Sequence, residues 1–119
     1  MSETKTYTGG CHCGAVRFEA EINTGSAIAC NCSICTKSGY ILAFVPGSKF
    51  KLLSGKDALK DYQFNKKKIH HTFCTTCGVR PFGTGQTPDG GDMFAVNLRC
   101  VDELDLESVH PQKFDGKNM

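Results

Sequence analysis

Eight cysteines in 119 residues fall into tight groups, and that grouping limits the possible folds more than any other feature. Cys11 and Cys13 flank His12. Cys30, Cys32 and Cys35 lie within one six-residue stretch. Cys74 and Cys77 are spaced C-x-x-C, and only Cys100 stands apart. An even cysteine count permits a disulfide scaffold of the secreted kind. The polar segment 1–6 has no apolar core of a signal peptide, so the expected compartment is the reducing cytoplasm, where structural disulfides are disfavoured. C-x-C and C-x-x-C are also metal-knuckle spacings, and thiolates suit a soft divalent ion, above all zinc.

The spacings separate two centres, with two zinc ions per chain. Cys11, Cys13, Cys74 and Cys77 can supply four thiolates, the closed set of a structural zinc. Gly78 follows the second pair, where it lets the loop turn its N–H groups toward the sulfurs. Joining residues 13 and 74 closes a long loop and removes much unfolded-state freedom. Cys30, Cys32 and Cys35 make a triplet with no fourth local ligand, which suggests an open, catalytic position. Three thiolates leave zinc a weak Lewis acid, poorly suited to activating water. Such a site suits a fourth sulfur, held as a nucleophilic thiolate. Cys100, His70 or His71 could instead close it, although a free cysteine is commonly a small buried side chain. His12 is expected to point outward.

A formal net charge of +2 argues against a dedicated nucleic-acid or membrane binder. The longest apolar run, 40–46, is too short to span a bilayer. The length suits one domain over 1–119. Alternation of Val16, Phe18, Ala20 and Ile22 with charged residues marks a half-buried antiparallel strand. Further strands are expected over 6–10, 27–29, 40–45, 50–53, 69–73 (delivering Cys74) and 93–98, with Tyr62 and Phe64 on one strand face, while 80–85 leaves the second knuckle. The run 40–45 is apolar on both faces and reads as a central strand. A helical turn over 33–38 should end at Gly39. Segment 57–59 can begin another turn, 102–108 reads as a short helix, and 109–114 as extended. Residues 65–68 form a basic loop and 88–92 a turn. Many short strands between Gly and Pro turns imply a mainly β domain. Gly9 and Gly10 would let backbone approach a metal site closely. Arg17, Lys37, Arg80 and Arg99 are scattered cations, of which one or two could meet a ligand carboxylate. No phosphate loop, dinucleotide fingerprint or Ser-His-Asp arrangement is present.

Three stretches then resemble a known family: Gly9-Gly10-Cys11-His12-Cys13-Gly14-Ala15-Val16-Arg17-Phe18, Cys30-Asn31-Cys32-Ser33-Ile34-Cys35 and Phe73-Cys74-Thr75-Thr76-Cys77-Gly78. They are similar to the glutathione-dependent formaldehyde-activating enzymes, a family that also contains centromere protein V. Segment 96–102 and Phe114-Asp115-Gly116 fit its C-terminal pattern. The resemblance implies an Mss-four-like β fold with sheets bracketing two zinc sites. It implies a structural zinc on Cys11, Cys13, Cys74 and Cys77 and a catalytic zinc on Cys30, Cys32 and Cys35. The activity implied is of carbon–sulfur lyase type, joining glutathione and formaldehyde as S-hydroxymethylglutathione. The family usually has His where this chain has Asn31, and the chain is shorter than the enzymes that named the family. The competing expectation is a non-enzymatic zinc-stabilised module that binds protein or nucleic acid, because a fold does not fix a function.

Overall fold

The computed structural model describes residues 4–63, 69–87, 90–102 and 104–115. The chain is mainly β. A three-stranded sheet is ordered β1-β2-β5, from β1 (Thr4–Gly10), β2 (Arg17–Asn23) and β5 (Phe50–Ser54). A seven-stranded sheet is ordered β10-β3-β4-β9-β8-β7-β6. Its strands are β3 (Ile28–Cys30), β4 (Leu42–Pro46), β6 (Leu59–Tyr62), β7 (His70–Cys74), β8 (Phe82–Gln86), β9 (Asp92–Asn97) and β10 (Gln112–Phe114). The strand pairs are antiparallel except β10 with β3, which run parallel.

The core lies where the two sheets face each other. Val16, Phe18, Ala20 and Ile22 are 0–2% exposed, so the alternation read from the sequence is the inner face of β2 and its approach. They meet Ala43 and Val45 of β4, Phe82 of β8 and Val96 of β9. Phe50 joins the sheets most directly. Its ring lies 5.5 Å from that of Phe18, 4.7 Å from Phe82 and 4.2 Å from Phe94, stacked on the last. Offset aromatic contacts of this kind add stability beyond the area they bury.

The helical turn at 33–38 is present as α1 (Ser33–Ser38), and Gly39 closes it in a left-handed conformation. Segment 57–59 carries a 3-10 turn, Lys56–Ala58. The expected central strand starts later than the sequence suggested. Leu42 is its first residue, and Tyr40 lies in the connection after α1. Phe44 is 47% exposed, so one face of β4 is partly open.

Among the described residues of 102–108 the expected short helix is absent, and a 3-10 turn, Leu106–Ser108, is found instead. Tertiary pairing explains the difference. The Asp102 N–H donates to the Thr8 carbonyl at 2.8 Å, and Val101 bridges Gly9, so this segment follows β1. Gly9 and Gly10 do serve close approach, but to backbone. A Cβ on Gly10 would overlap the Val16 carbonyl oxygen, and one on Gly9 the Cys100 carbonyl oxygen. Phe64, the basic loop 65–68, part of the 88–92 turn and Gly116 lie outside the described residues. What is described of that turn closes through Gly90 N–H to Thr87 O at 2.9 Å.

Candidate metal centres

Two turns build the outer cluster. Cys11 and Cys13 leave β1, and Cys74 and Cys77 leave β7. Their four sulfurs all lie within 4.8 Å of one another. The Sγ atoms of Cys11 and Cys13 are 3.6 Å apart, as are those of Cys13 and Cys74. A disulfide needs about 2.05 Å. Tetrahedral zinc with bonds of about 2.3 Å sets its sulfurs about 3.8 Å apart. The donor set therefore fits a tetrahedral thiolate-bound ion.

Backbone donors face these sulfurs, as the knuckle geometry requires. Val16 N–H points at Cys11 Sγ at 3.3 Å and Thr76 N–H at Cys74 Sγ at 3.4 Å. Gly78 adopts φ +78°, a conformation that favours glycine, and its N–H donates to the Cys74 carbonyl at 2.8 Å. The electrostatics divide the four thiols. The Val79 N–H, then that of Cys13, pushes the Cys77 thiol down to about 6, and the Cys77 N–H lowers Cys74. The Ala15 N–H pulls Cys13 down as well, but burial and the neighbouring thiols outweigh it and lift it to about 11. Thiols that resist joint ionisation are relieved by a dication, whose binding displaces their protons.

The inner cluster is built by the end of β3 and the start of α1. Cys30, Cys32 and Cys35 bring their sulfurs within 4.8 Å of one another, and among the described residues the group stops at three. Cys35 is buried, and its thiol is pushed up by burial and by Cys32. Burial also pushes Cys32 up, but the N–H groups of Cys35 and Ile34 and the adjoining thiols outweigh it and bring it down. Tyr40, Leu42, Ile28 and Ile34 form the apolar wall.

None of the three residues considered as closing ligands joins the triplet. The His70 ring is engaged with Asp61 at 2.5 Å. His71 is half-buried, its pKa lowered by burial and by the Arg80 charge. Cys100 Sγ points at the Arg80 carbonyl at 3.7 Å, and burial pushes its thiol up to about 11. The thiols that raise it further are Cys11 and Cys77 of the outer cluster. His12 is exposed, as expected.

Asn31 has a structural task. Its side-chain N–H donates to Asp115 at 2.8 Å and its backbone N–H to the Phe114 carbonyl at 3.1 Å, so it fastens the triplet to β10. The four cations separate. Arg17 forms a two-pronged pair with Asp102, with one arm at 3.3 Å. Arg99 donates through Nε to the Gly39 carbonyl at 2.7 Å. Lys37 is exposed on α1. Arg80 turns inward, its guanidinium 5.4 Å from the Phe73 ring centroid and facing the Tyr40 hydroxyl. Sequence reasoning missed Tyr40, which it placed in a strand. The usable signal was its position after Gly39, the residue that ends the helix bearing Cys35.

Among the described residues, no helix is long and apolar enough to cross a membrane. The chain is similar to a Rhodobacter sphaeroides protein of known crystal structure, a structural-genomics target. The identity is 30%, covering 89% of this chain and 97% of that one, with a TM-score of 0.78. The model of the glutathione-dependent formaldehyde-activating enzymes matches residues 6–115. With both cysteine clusters inside that match, the chain belongs to the glutathione-dependent formaldehyde-activating enzyme family, and so to function related to glutathione and formaldehyde in general.

Proposed function

We propose that this protein is a zinc-dependent enzyme of carbon–sulfur lyase type, acting on a small thiol and a small aldehyde. Glutathione and formaldehyde are the pair the family suggests. The observation that carries the reading is the contrast between four gathered sulfurs at one centre and three at the other. Cys11, Cys13, Cys74 and Cys77 are read as ligands of a structural zinc, and Cys30, Cys32 and Cys35 as the catalytic set. Zinc on three thiolates leaves a position for a substrate sulfur and favours its thiolate form at neutral pH.

The chain's own groups prepare that position. The N–H groups of Ile34 and Cys35 offset negative charge on Cys32. The wall of Tyr40, Leu42 and Ile28 limits water beside the sulfurs. In the reaction, the thiolate sulfur adds to the carbonyl carbon, and the oxygen takes the displaced electron pair and then a proton. The product with glutathione is S-hydroxymethylglutathione; the reverse reaction breaks the same carbon–sulfur bond. Residues 1–119 are read as one zinc-binding domain of a cytoplasmic protein, where unpaired thiols are maintained.

The test titrates glutathione and S-methylglutathione into cobalt-substituted protein and follows thiolate-to-cobalt absorption. Only the free thiol can ionise at sulfur, so it should bind much more tightly, with a gap that widens as pH rises. If neither glutathione nor any other small thiol changes the spectrum, the site is closed. The chain is then a zinc-stabilised binding module.

A further inference from the structure

Beside the triplet lie two buried hydrogen-bond donors. Tyr40 is 7% exposed and packs against Cys35, and neither its hydroxyl nor Nη1 of Arg80 has a hydrogen-bond partner among the described residues. Leaving such groups unpaired is costly, more so where charge is involved. The Arg80 guanidinium and the Ser38 side chain lie beside the Tyr40 hydroxyl, but neither meets it in hydrogen-bonding geometry.

The pair is held from both sides. Asn97 is buried and donates through Nδ2 to the Arg80 carbonyl at 3.0 Å, while its own Oδ1 accepts from Arg99 N–H at 3.1 Å. Arg99 in turn holds the Gly39 carbonyl, next to Tyr40, and Leu98 N–H donates to the Ile41 carbonyl at 2.7 Å. The 3-10 turn after β9 thus fixes the backbone of both residues. Phe73 supports the guanidinium face.

Two preset donors, one of them cationic, match the two oxygens of a carboxylate. We propose that Arg80 and Tyr40 form a carboxylate-binding subsite, which holds the acid group of a thiol whose sulfur occupies the inner centre. The inference rests on reading the triplet as a thiol site. It makes Arg80 and Tyr40 specificity determinants: the sulfur is read by the cysteines and the acid group by this pair.

The experiment compares mercaptoacetate and 3-mercaptopropionate with neutral 2-mercaptoethanol in cobalt-substituted protein, again by thiolate-to-cobalt absorption. A centre of three thiolates repels an anion, so simple electrostatics favours the neutral thiol. The expected result is the opposite, with at least one acid binding about tenfold or more tightly, the scale of a charge-assisted hydrogen bond. Arg80→Met should abolish that preference and leave 2-mercaptoethanol binding unchanged. Arg80→Lys should restore part of it. Tyr40→Phe removes one oxygen and should lower the preference several-fold, which keeps the test decisive if Arg80→Met does not fold. Equal affinities in the unaltered protein, or equal loss for acid and neutral thiols in Tyr40→Phe, would overturn the subsite while leaving the thiol site standing. Silence toward all three thiols would overturn both readings together.

Discussion

Cys74 and Cys32 are chemically identical but sit in different surroundings. Cys74 is fully buried, accepts a backbone N–H at its sulfur and stands where the clamp meets the core. Its replacement by serine removes one of four donors, and affinity for a structural metal is folding free energy. Cys74→Ser should cost more than about 3 kcal/mol in denaturant unfolding of the metal-loaded protein. Cys32 is half-buried at the head of α1 and outside the main core. Cys32→Ser should cost less than about 2 kcal/mol and still abolish the spectral response to thiols. Equal destabilisation by the two changes would make the triplet structural. Both groupings were legible in the sequence, because ligand count and spacing are local properties. The partnership of Tyr40 with Arg80 was not, because it joins residues forty positions apart that share no period.

Among the elements, the connection after β9 departs furthest from its sequence reading. The run 102–108 carries no strong stop signal, yet its described residues form a 3-10 turn and no longer helix. Asp102 is drawn instead to β1 and β2, where it accepts from Thr8 Oγ1 at 3.3 Å and pairs with Arg17. The Arg17 hydrogen bonds, opposed by a little desolvation, hold its carboxyl below the usual aspartate range. A lowered acid contributes stability above its ordinary pKa of about 3.9 and loses it as pH falls through the folded value. Arg17 and Asp102 are 35% and 43% exposed, so solvent limits the pair to a few tenths of a kcal/mol up to about 1 kcal/mol. Asp102→Asn should therefore lower stability slightly at pH 7, and the gap should close below about pH 4 in thermal unfolding. A gap that persists at pH 2 would assign the effect to packing. By contrast, β2 was legible because its alternation is written in consecutive residues. The parallel pairing of β10 with β3 was not, since nothing local to 112–114 specifies a partner eighty positions away.

At the scale of the whole molecule, the two clusters act at different levels of organisation. The outer one ties the end of β1 to the end of β7, while the inner one hangs from an outer region of the larger sheet. Purified protein should carry about two zinc ions per chain if both clusters fill, measured by elemental analysis. A value near one that survives added zinc would remove the inner centre from the account. The strand that completes the inner centre's surroundings is also the last among the described residues. Cys30 pairs in register with Phe114, and Asn31 is held by Phe114 and Asp115. During synthesis, the four sulfurs of the clamp have all left the ribosome once residue 77 is clear. The seat of the triplet must wait nearly forty residues longer, so an unfinished chain can be fastened at one end before its second cluster has a frame to rest on.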